Sequence, residues 1–294
     1  LVGNAVRKEN LSLGGTPLIY DGANKYGNVF DMVQGASYVA EGADEMVDDT
    51  WYYDPDFFVR GDDGTYTFRA VSGRYSIHAD FNNQCFRVVP LDENNQPLTY
   101  DTSTGTGCIW VIGANSSYGK PTFVPGNDDG WSESRALPLA QIDGTHHQIT
   151  FEVGKQLNPD RVNFKFFHQN SFGDDSNDEF TPFTNPKITT TSDVFYVNFN
   201  TPDCGNVKLR SGKKLTPGDI YVFTIDTSDK EHVILSTENI TTTINDTKVV
   251  GREPDGNYYD LTGRIVSNSH IAHPVCQPTR QILITKGKKI VRQP

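Results

Sequence analysis

The sequence predicts an all-β protein: two tandem immunoglobulin-like β-sandwich modules followed by a short C-terminal β segment. Three observations carry the prediction. Short apolar stretches alternate with a period of two, as strands with one buried face do. Turns rich in Gly, Asp and Asn separate them at short intervals, the spacing of sandwiches. The 17 Phe and 13 Tyr among 294 residues accompany abundant Thr, Val and Asn, and no segment carries a clear 3.6-residue apolar stripe.

Taken in order, residues 1–15 read as a polar linker, and Thr16-Pro-Leu-Ile-Tyr20 as the entry to the first module, residues 16–105. Val29–Gln34 is a strand, followed by an acidic loop and the aromatic run Trp51-Tyr-Tyr-Asp-Pro-Asp-Phe-Phe58. Gly61–Gly64 is a turn into Thr65–Val71. In Arg74–Asp80, Tyr75, Ile77 and Ala79 make a dry face, while Arg74, Ser76, His78 and Asp80 make a wet one. Cys85–Val89 completes that module, and the Asn/Thr/Ser/Gly stretch from Asp92 to Gly107 reads as a boundary.

The second module, 106–245, opens on the apolar strand Cys108–Gly113. A turn-rich loop then runs to Gly126-Asn-Asp-Asp-Gly-Trp131. In Gln148–Val153, Ile149, Phe151 and Val153 alternate with polar residues; in Val162–His168, Val162, Phe164 and Phe166 do the same. That register sets Lys165 and Phe167 together on an outward face. Val194–Phe199, Ile220–Asp226, His232–Thr237 and Ile240–Val250 read as the closing strands. Two more strand-like stretches, Asn257–Val266 and Gln281–Val291, form the C-terminal segment, 246–294.

An internal repeat is also legible. Trp51 stands 13 residues before Gly64, and Trp131 stands 13 before Gly144, each Gly being followed by Thr and an alternating strand. On this spacing the strand ending at Gly35 corresponds to the one ending at Gly113.

Charge and composition bound the partners. A net charge of −11 argues against a phosphate-neutralising surface, so no nucleic-acid partner is expected. No apolar run is long enough for a transmembrane helix. Cys85, Cys108, Cys204 and Cys276 lack C-x-x-C or zinc-ribbon spacing, leaving either buried thiols or one or two bridges in an exported protein. The chain begins at Leu1 without Met or a leader, and is read as a mature or trimmed segment.

Sugar recognition asks for aromatic faces that pack on apolar C–H faces, with donors and acceptors beside them. The candidates are Trp131 at its Gly/Asp loop, Lys165 and Phe167 on the outward face, and His168, Asn170 and Phe172 at the strand exit. Trp51 and Tyr53 of the aromatic run are candidates in the first module. No cofactor or metal is required. Calcium is the ion that the oxygen-rich loops Gly126–Gly130 and Asp174–Glu179 would suit, though neither has the EF-hand pattern. Asp54 and Asp56, which flank Pro55 in the aromatic run, are a carboxylate pair that could act as acid and base in glycoside hydrolysis, though among 37 acidic residues such pairs also arise by chance.

At Ile109-Trp-Val-Ile-Gly113, Gly130-Trp131 and Asn163-Phe-Lys-Phe166 the chain resembles exported Bacteroidetes lipoproteins of the SusE/SusF type, accessory proteins of starch-utilisation-like systems. Ser171-Phe172-Gly173 and Asp178-Glu179-Phe180 are similar to a Bacteroidales subfamily without an assigned ligand. The resemblance covers roughly 16–240, with Ser76 and His78 standing in the first module where the Asn-x-Lys-x pattern would be. It implies a non-enzymatic protein that binds oligo- or polysaccharide at the cell surface. It further implies a lipid anchor to the outer membrane through an N-terminus absent from this chain, and glycan-uptake proteins of that membrane as partners. A glycoside-active enzyme or accessory module, or a structural or adhesion protein, is the alternative.

Overall fold

The computed structural model describes residues 11–22, 24–41, 52–61, 63–82, 85–113, 131, 136–168, 179–184, 186–241, 258–259, 265–266, 281–285 and 288–292. The chain divides into two compact units, Leu1–Glu238 and Asn239–Pro294.

Nearly every described element is a strand. In the first sandwich these are β1 (Ser12–Leu13), β2 (Thr16–Pro17), β3 (Ile19–Gly22), β4 (Lys25–Met32), β5 (Ser37–Glu41), β6 (Tyr52–Tyr53), β7 (Phe58–Arg60), β8 (Thr65–Phe68), β9 (Gly73–Asp80) and β10 (Cys85–Leu91). They make two five-stranded sheets, ordered β2-β1-β5-β8-β7 and β3-β4-β9-β10-β6. A small hairpin of β11 (Tyr100–Asp101) and β12 (Thr106–Gly107) follows.

The second sandwich contains β13 (Trp110–Gly113), β14 (Leu137–Pro138), β15 (Ala140–Gln141), β16 (His146–Glu152), β17 (Phe164–Phe167), β18 (Lys187–Thr190), β19 (Phe195–Val197), β20 (Val207–Leu209), β21 (Ile220–Asp226) and β22 (His232–Asn239). Its sheets run β14-β13-β17-β20-β19 and β15-β16-β21-β22-β18. Strand for strand this is the order of the first module. Even the parallel edge pairing recurs, β6 on β10 and β18 on β22.

The tandem is therefore a duplication of one topology, but not in the register that the Trp-to-Gly spacing predicts. Gly35 follows β4, whose counterpart is β16, whereas Gly113 ends β13, the counterpart of β1. Gly64 and Gly144 likewise precede non-equivalent strands, β8 and β16. Equal spacing arose from turns of similar composition at different places in the fold.

The expected linker 1–15 also needs correction at its end. Leu11 and Leu13 are buried in the first core, and β1 pairs with both β2 and β5. Gly14 and Gly15, with φ of 56° and 78°, make the two-residue turn between β1 and β2, since a primed hairpin turn needs positive φ at both central positions.

Each sandwich closes on aromatic rings. In the first, Phe68 meets Tyr75 at 4.9 Å and Phe58 at 5.3 Å between centroids. In the second, Phe223 lies 5.0 Å from Phe195 and 5.3 Å from Phe164, edge to face with the latter. Such geometry adds to the burial term of each ring. The predicted alternation is plain in β21, where Tyr221, Phe223 and Ile225 are buried and their neighbours are not.

At Gly113 strands β13 and β17 approach closely. A Cβ there would lie 2.4 Å from Phe164 Cα and 2.7 Å from the Asn163 carbonyl oxygen, both backbone atoms with little room to yield. Gly113→Ala is expected to cost about 1–3 kcal/mol, the range for overpacking. A urea titration reads it as a lower midpoint at unchanged slope; an unchanged midpoint would refute the steric account.

The C-terminal unit holds a four-stranded sheet ordered β24-β23-β25-β26. Its strands are β23 (Tyr258–Tyr259), β24 (Ile265–Val266), β25 (Gln281–Thr285) and β26 (Lys288–Arg292), and β25 and β26 form an antiparallel hairpin.

Candidate functional site

The outward face of β17 is turned away from the sandwich core, as its alternation predicts, yet it does not meet water. Lys165 and Phe167 are both buried. On the neighbouring strand, Trp110 is the partner of Phe167 and Ile112 the partner of Lys165. Cys108, Trp110, Ile112, Ala136 and Phe167 form an apolar cluster of their own, with Val89, Leu98 and Trp131 packed against it. Val89 comes from the first module and Leu98 from the connection, so the tandem arrangement covers this face.

Lys165 is consequently no sugar-facing donor. Its Nζ donates to Glu179 Oε2 at 2.6 Å, and Gly205 packs against its Cε. His168 is buried, its ring edge-on to Phe180 at 5.4 Å and its carbonyl accepting from the Tyr100 amide at 2.6 Å. Trp131 is half-buried on the apolar cluster. Tyr53 is half-buried as well, packed edge-on to Tyr66. Trp51, Asn170 and Phe172 lie outside the described residues, as do the Gly126–Gly130 loop and Asp174–Asp178. Among the described residues no group of three or more His, Cys, Asp or Glu is placed to hold a metal.

Asp54 and Asp56 do not face solvent either, being 7% and 2% exposed. Asp54 Oδ1 accepts from the Asp56 amide at 2.8 Å, and the Asp54 carbonyl accepts from Phe57 and Phe58. Asp56 accepts hydrogen bonds from Thr150 of the second module. Burial pushes both carboxyls up, with the Asp56 charge adding to the effect at Asp54. This pair ties a turn and a module junction.

A Ser76–His78–Asp21 chain lies on the outer face of β9, with Ser76 Oγ 3.0 Å from His78 Nδ1 and His78 Nε2 2.8 Å from Asp21 Oδ2. The imidazole lies across Gly27, where a Cβ would fall 2.1 Å from Cδ2. Burial holds the imidazole below its ordinary pKa, against the pull of Asp21. Ser76 sits mid-sheet between Val29 and Val89, in paired strands on both sides. The ladder engages the amides that an oxyanion hole would require. The chain of bonds orients a ring over a glycine.

What the second module does present is two exposed phenylalanines on adjoining loops. Phe183 is 70% exposed and Phe199 60%. Residues 181–184 are fixed by their own hydroxyls: Thr181 Oγ1 accepts from the amides of Phe183 at 3.1 Å and Thr184 at 3.0 Å, and Thr184 Oγ1 donates to the Glu179 carbonyl at 2.8 Å. In the 198–206 loop, the Asn198 side-chain amide donates to the carbonyls of Asn200 at 2.7 Å and Asp203 at 2.8 Å. Asn206 Nδ2 donates to Asn163 Oδ1 at 2.8 Å, and Lys208 pairs with Asp203 at 2.6 Å.

The loops meet at Gly205, where a Cβ would lie 2.8 Å from the Phe180 carbonyl oxygen and 3.0 Å from Thr181 Cγ2. Two loops, held by buried carboxamides and hydroxyls, thus carry apolar rings in water, with one ion pair on the 198–206 loop side. The equivalent β7–β8 connection of the first module is the tight turn 61–64, closed by the Gly61 amide on the Thr65 carbonyl at 2.8 Å. It carries no ring. Periodicity did not single out Phe183, and it placed Phe199 in the strand Val194–Phe199, whereas β19 ends at Val197. The available signal was a lone Phe inside each of the turn-rich strings Thr181-Pro-Phe-Thr184 and Asn198-Phe-Asn-Thr-Pro202.

Comparison with known families divides the chain as the sandwiches do. Residues 14–97 match the family model described as "Domain of unknown function (DUF5125)", and 104–228 match "Domain of unknown function (DUF5121)". The two are tandem domains of Bacteroidetes type. Two models match where the topology is one, so the duplicated halves have diverged in sequence. No curated protein matches the chain.

Proposed function

We propose that this is a non-catalytic carbohydrate-binding protein of a glycan-utilisation system, with polysaccharide held on the loop surface of the second module. The observation that carries the proposal is the pair Phe183 and Phe199, exposed on loops whose conformations are fixed before any ligand arrives. An exposed Phe on a rigid loop loses apolar hydration when a pyranose face packs on it, and little ordering entropy opposes the contact. Asn200 and Thr201, exposed beside Phe199, suit a neutral sugar, and the −11 charge disfavours an acidic one.

An open surface, unlike a closed pocket, accepts an internal stretch of a long chain. Placement at a Bacteroidetes outer membrane, with a SusE/SusF-like lipid anchor and glycan-uptake proteins as partners, extends this reading and agrees with the tandem of matched domains.

Affinity gel electrophoresis over neutral and acidic polysaccharides tests it. Retardation by a neutral glycan is expected, weakened about tenfold by Phe183→Ala or Phe199→Ala, the scale of one lost ring contact. Thermal stability should not move, because neither ring is buried. Retardation equal in wild type and the double variant would move the function elsewhere; retardation by none would remove it.

A further inference from the structure

A cavity of about 300 Å³ lies at the junction of the two modules. Apolar walls come from Phe57, Tyr75 and Leu91 on one module and from Leu139 on the other; Ser72, Arg74, Thr106 and Gln141 add polar groups. The cavity is open to solvent, and Ser72 and Thr106 of its lining are exposed.

Bonds across the junction and its connection fix the walls. The Val71 amide donates to the Gln141 carbonyl at 2.8 Å. The Gln34 carboxamide donates at 2.7 Å both to Arg69 of its own module and to Ile142 of the other. Trp110 Nε1 donates to the Leu98 carbonyl at 2.8 Å. Gly107, at φ 106°, passes so close to Thr99 that a Cβ would collide with its carbonyl oxygen.

The lining selects the chemistry of an occupant. A purely apolar ligand would leave a guanidinium, a carboxamide and two hydroxyls unsolvated against it. An anion gains little, since Arg74 already faces Asp31, with Nε 3.3 Å from Oδ1 and NH1 3.2 Å from Asn95 Oδ1. A neutral ring with one apolar face and several hydroxyls satisfies both kinds of wall. We infer that the inter-module cavity is a binding site for a small neutral saccharide of one or two rings, distinct from the open loop surface at Phe183 and Phe199. The inference rests on the cavity lining, and it survives if that loop surface binds nothing. Both modules contribute walls, so the occupant also braces the junction.

The test is differential scanning fluorimetry with isothermal titration on the full chain. The probes are glucose, galactose, mannose, xylose, N-acetylglucosamine, maltose and cellobiose, up to about 50 mM, where a millimolar dissociation constant is fully visible. One or more should raise the melting temperature by about 3–6 °C near saturation. Thr106→Trp fills the cavity from an exposed position and should abolish both the shift and the heat; Gln141→Leu should weaken binding about tenfold. The Phe183→Ala/Phe199→Ala variant should respond as wild type does. The inference is overturned if no sugar gives shift or heat. It is equally overturned if the response persists in Thr106→Trp, or is lost in the loop variant.

Discussion

Glu179→Ala should destabilise the second module by about 3 kcal/mol, whereas Lys165→Met combined with Glu179→Leu should recover most of that loss. The Lys165 and Glu179 side chains are only 8% and 17% exposed, and their charged atoms stand 2.6 Å apart. Removing one partner of a buried pair strands the other charge in a poor solvent, which costs about 3–5 kcal/mol. Removing both and restoring apolar volume is close to neutral, because desolvation of the pair had offset much of its attraction. The surroundings favour the apolar replacement, since Phe167 and Ile112 already line the same face. Urea midpoints of the wild type, the single variant and the double variant decide it. A double variant as unstable as the single one would mean that the pair is held for its charge.

That pair also marks where local sequence stops being informative. The period-two pattern placed Lys165 on the face opposite Phe164 and Phe166, and it is there. Whether the face is wet depends on Val89 and Leu98, which are distant in sequence, and on Trp131 beyond the long loop. No window around Lys165 contains that fact. Alternation in β9, β16 and β21 was legible because one face of each strand stays outside the core. The duplication was legible as composition and misread as register, since similar turns precede strands that are not equivalent. The hairpin at Gly14 and Gly15 passed as linker because its strands are two residues long, too short to alternate.

The candidate site divides along the same line. Aromatic runs such as Trp51–Phe58 attract notice in a sequence, yet Phe57 and Phe58 there are core residues. Phe183 stands alone among polar turn residues, and Phe199 reads as the end of the strand Val194–Phe199, although β19 stops at Val197. Their exposure follows from hydroxyl and carboxamide bonds that fix each loop, and those bonds exist only once the fold is formed.

Lowering the pH from 7 to 4 should cost the second module about 3 kcal/mol through His147 alone. His147 shares the inward face of β16 with Ile149 and Phe151 and is fully buried. The Tyr100 ring stands edge-on to it at 6.1 Å, and neither ring nitrogen has a hydrogen-bond partner. Burial drives its pKa down to about 4, against a smaller upward pull from Asp143. An unfolded histidine takes its proton near 6.5.

Between these values the unfolded chain binds more protons than the folded one, so stability rises with pH. The contribution is complete above about 6.5 and is lost as pH falls toward 4. Asp54 and Asp56 act in the opposite sense. Their raised folded-state pKa values favour the folded form below the ordinary carboxyl pKa, and that benefit fades as pH rises through the folded values. The total pH profile therefore mixes the two signs, and a comparison between variants separates them. His147→Leu removes the imidazole and leaves the carboxyl pair in place. Across pH 7 to 4 its stability should fall by about 3 kcal/mol less than that of the wild type. At pH 7 it should already be the more stable protein, having shed two unsatisfied buried nitrogens. Parallel pH profiles for the two proteins would mean that the imidazole titrates as it does in water, and that water reaches it.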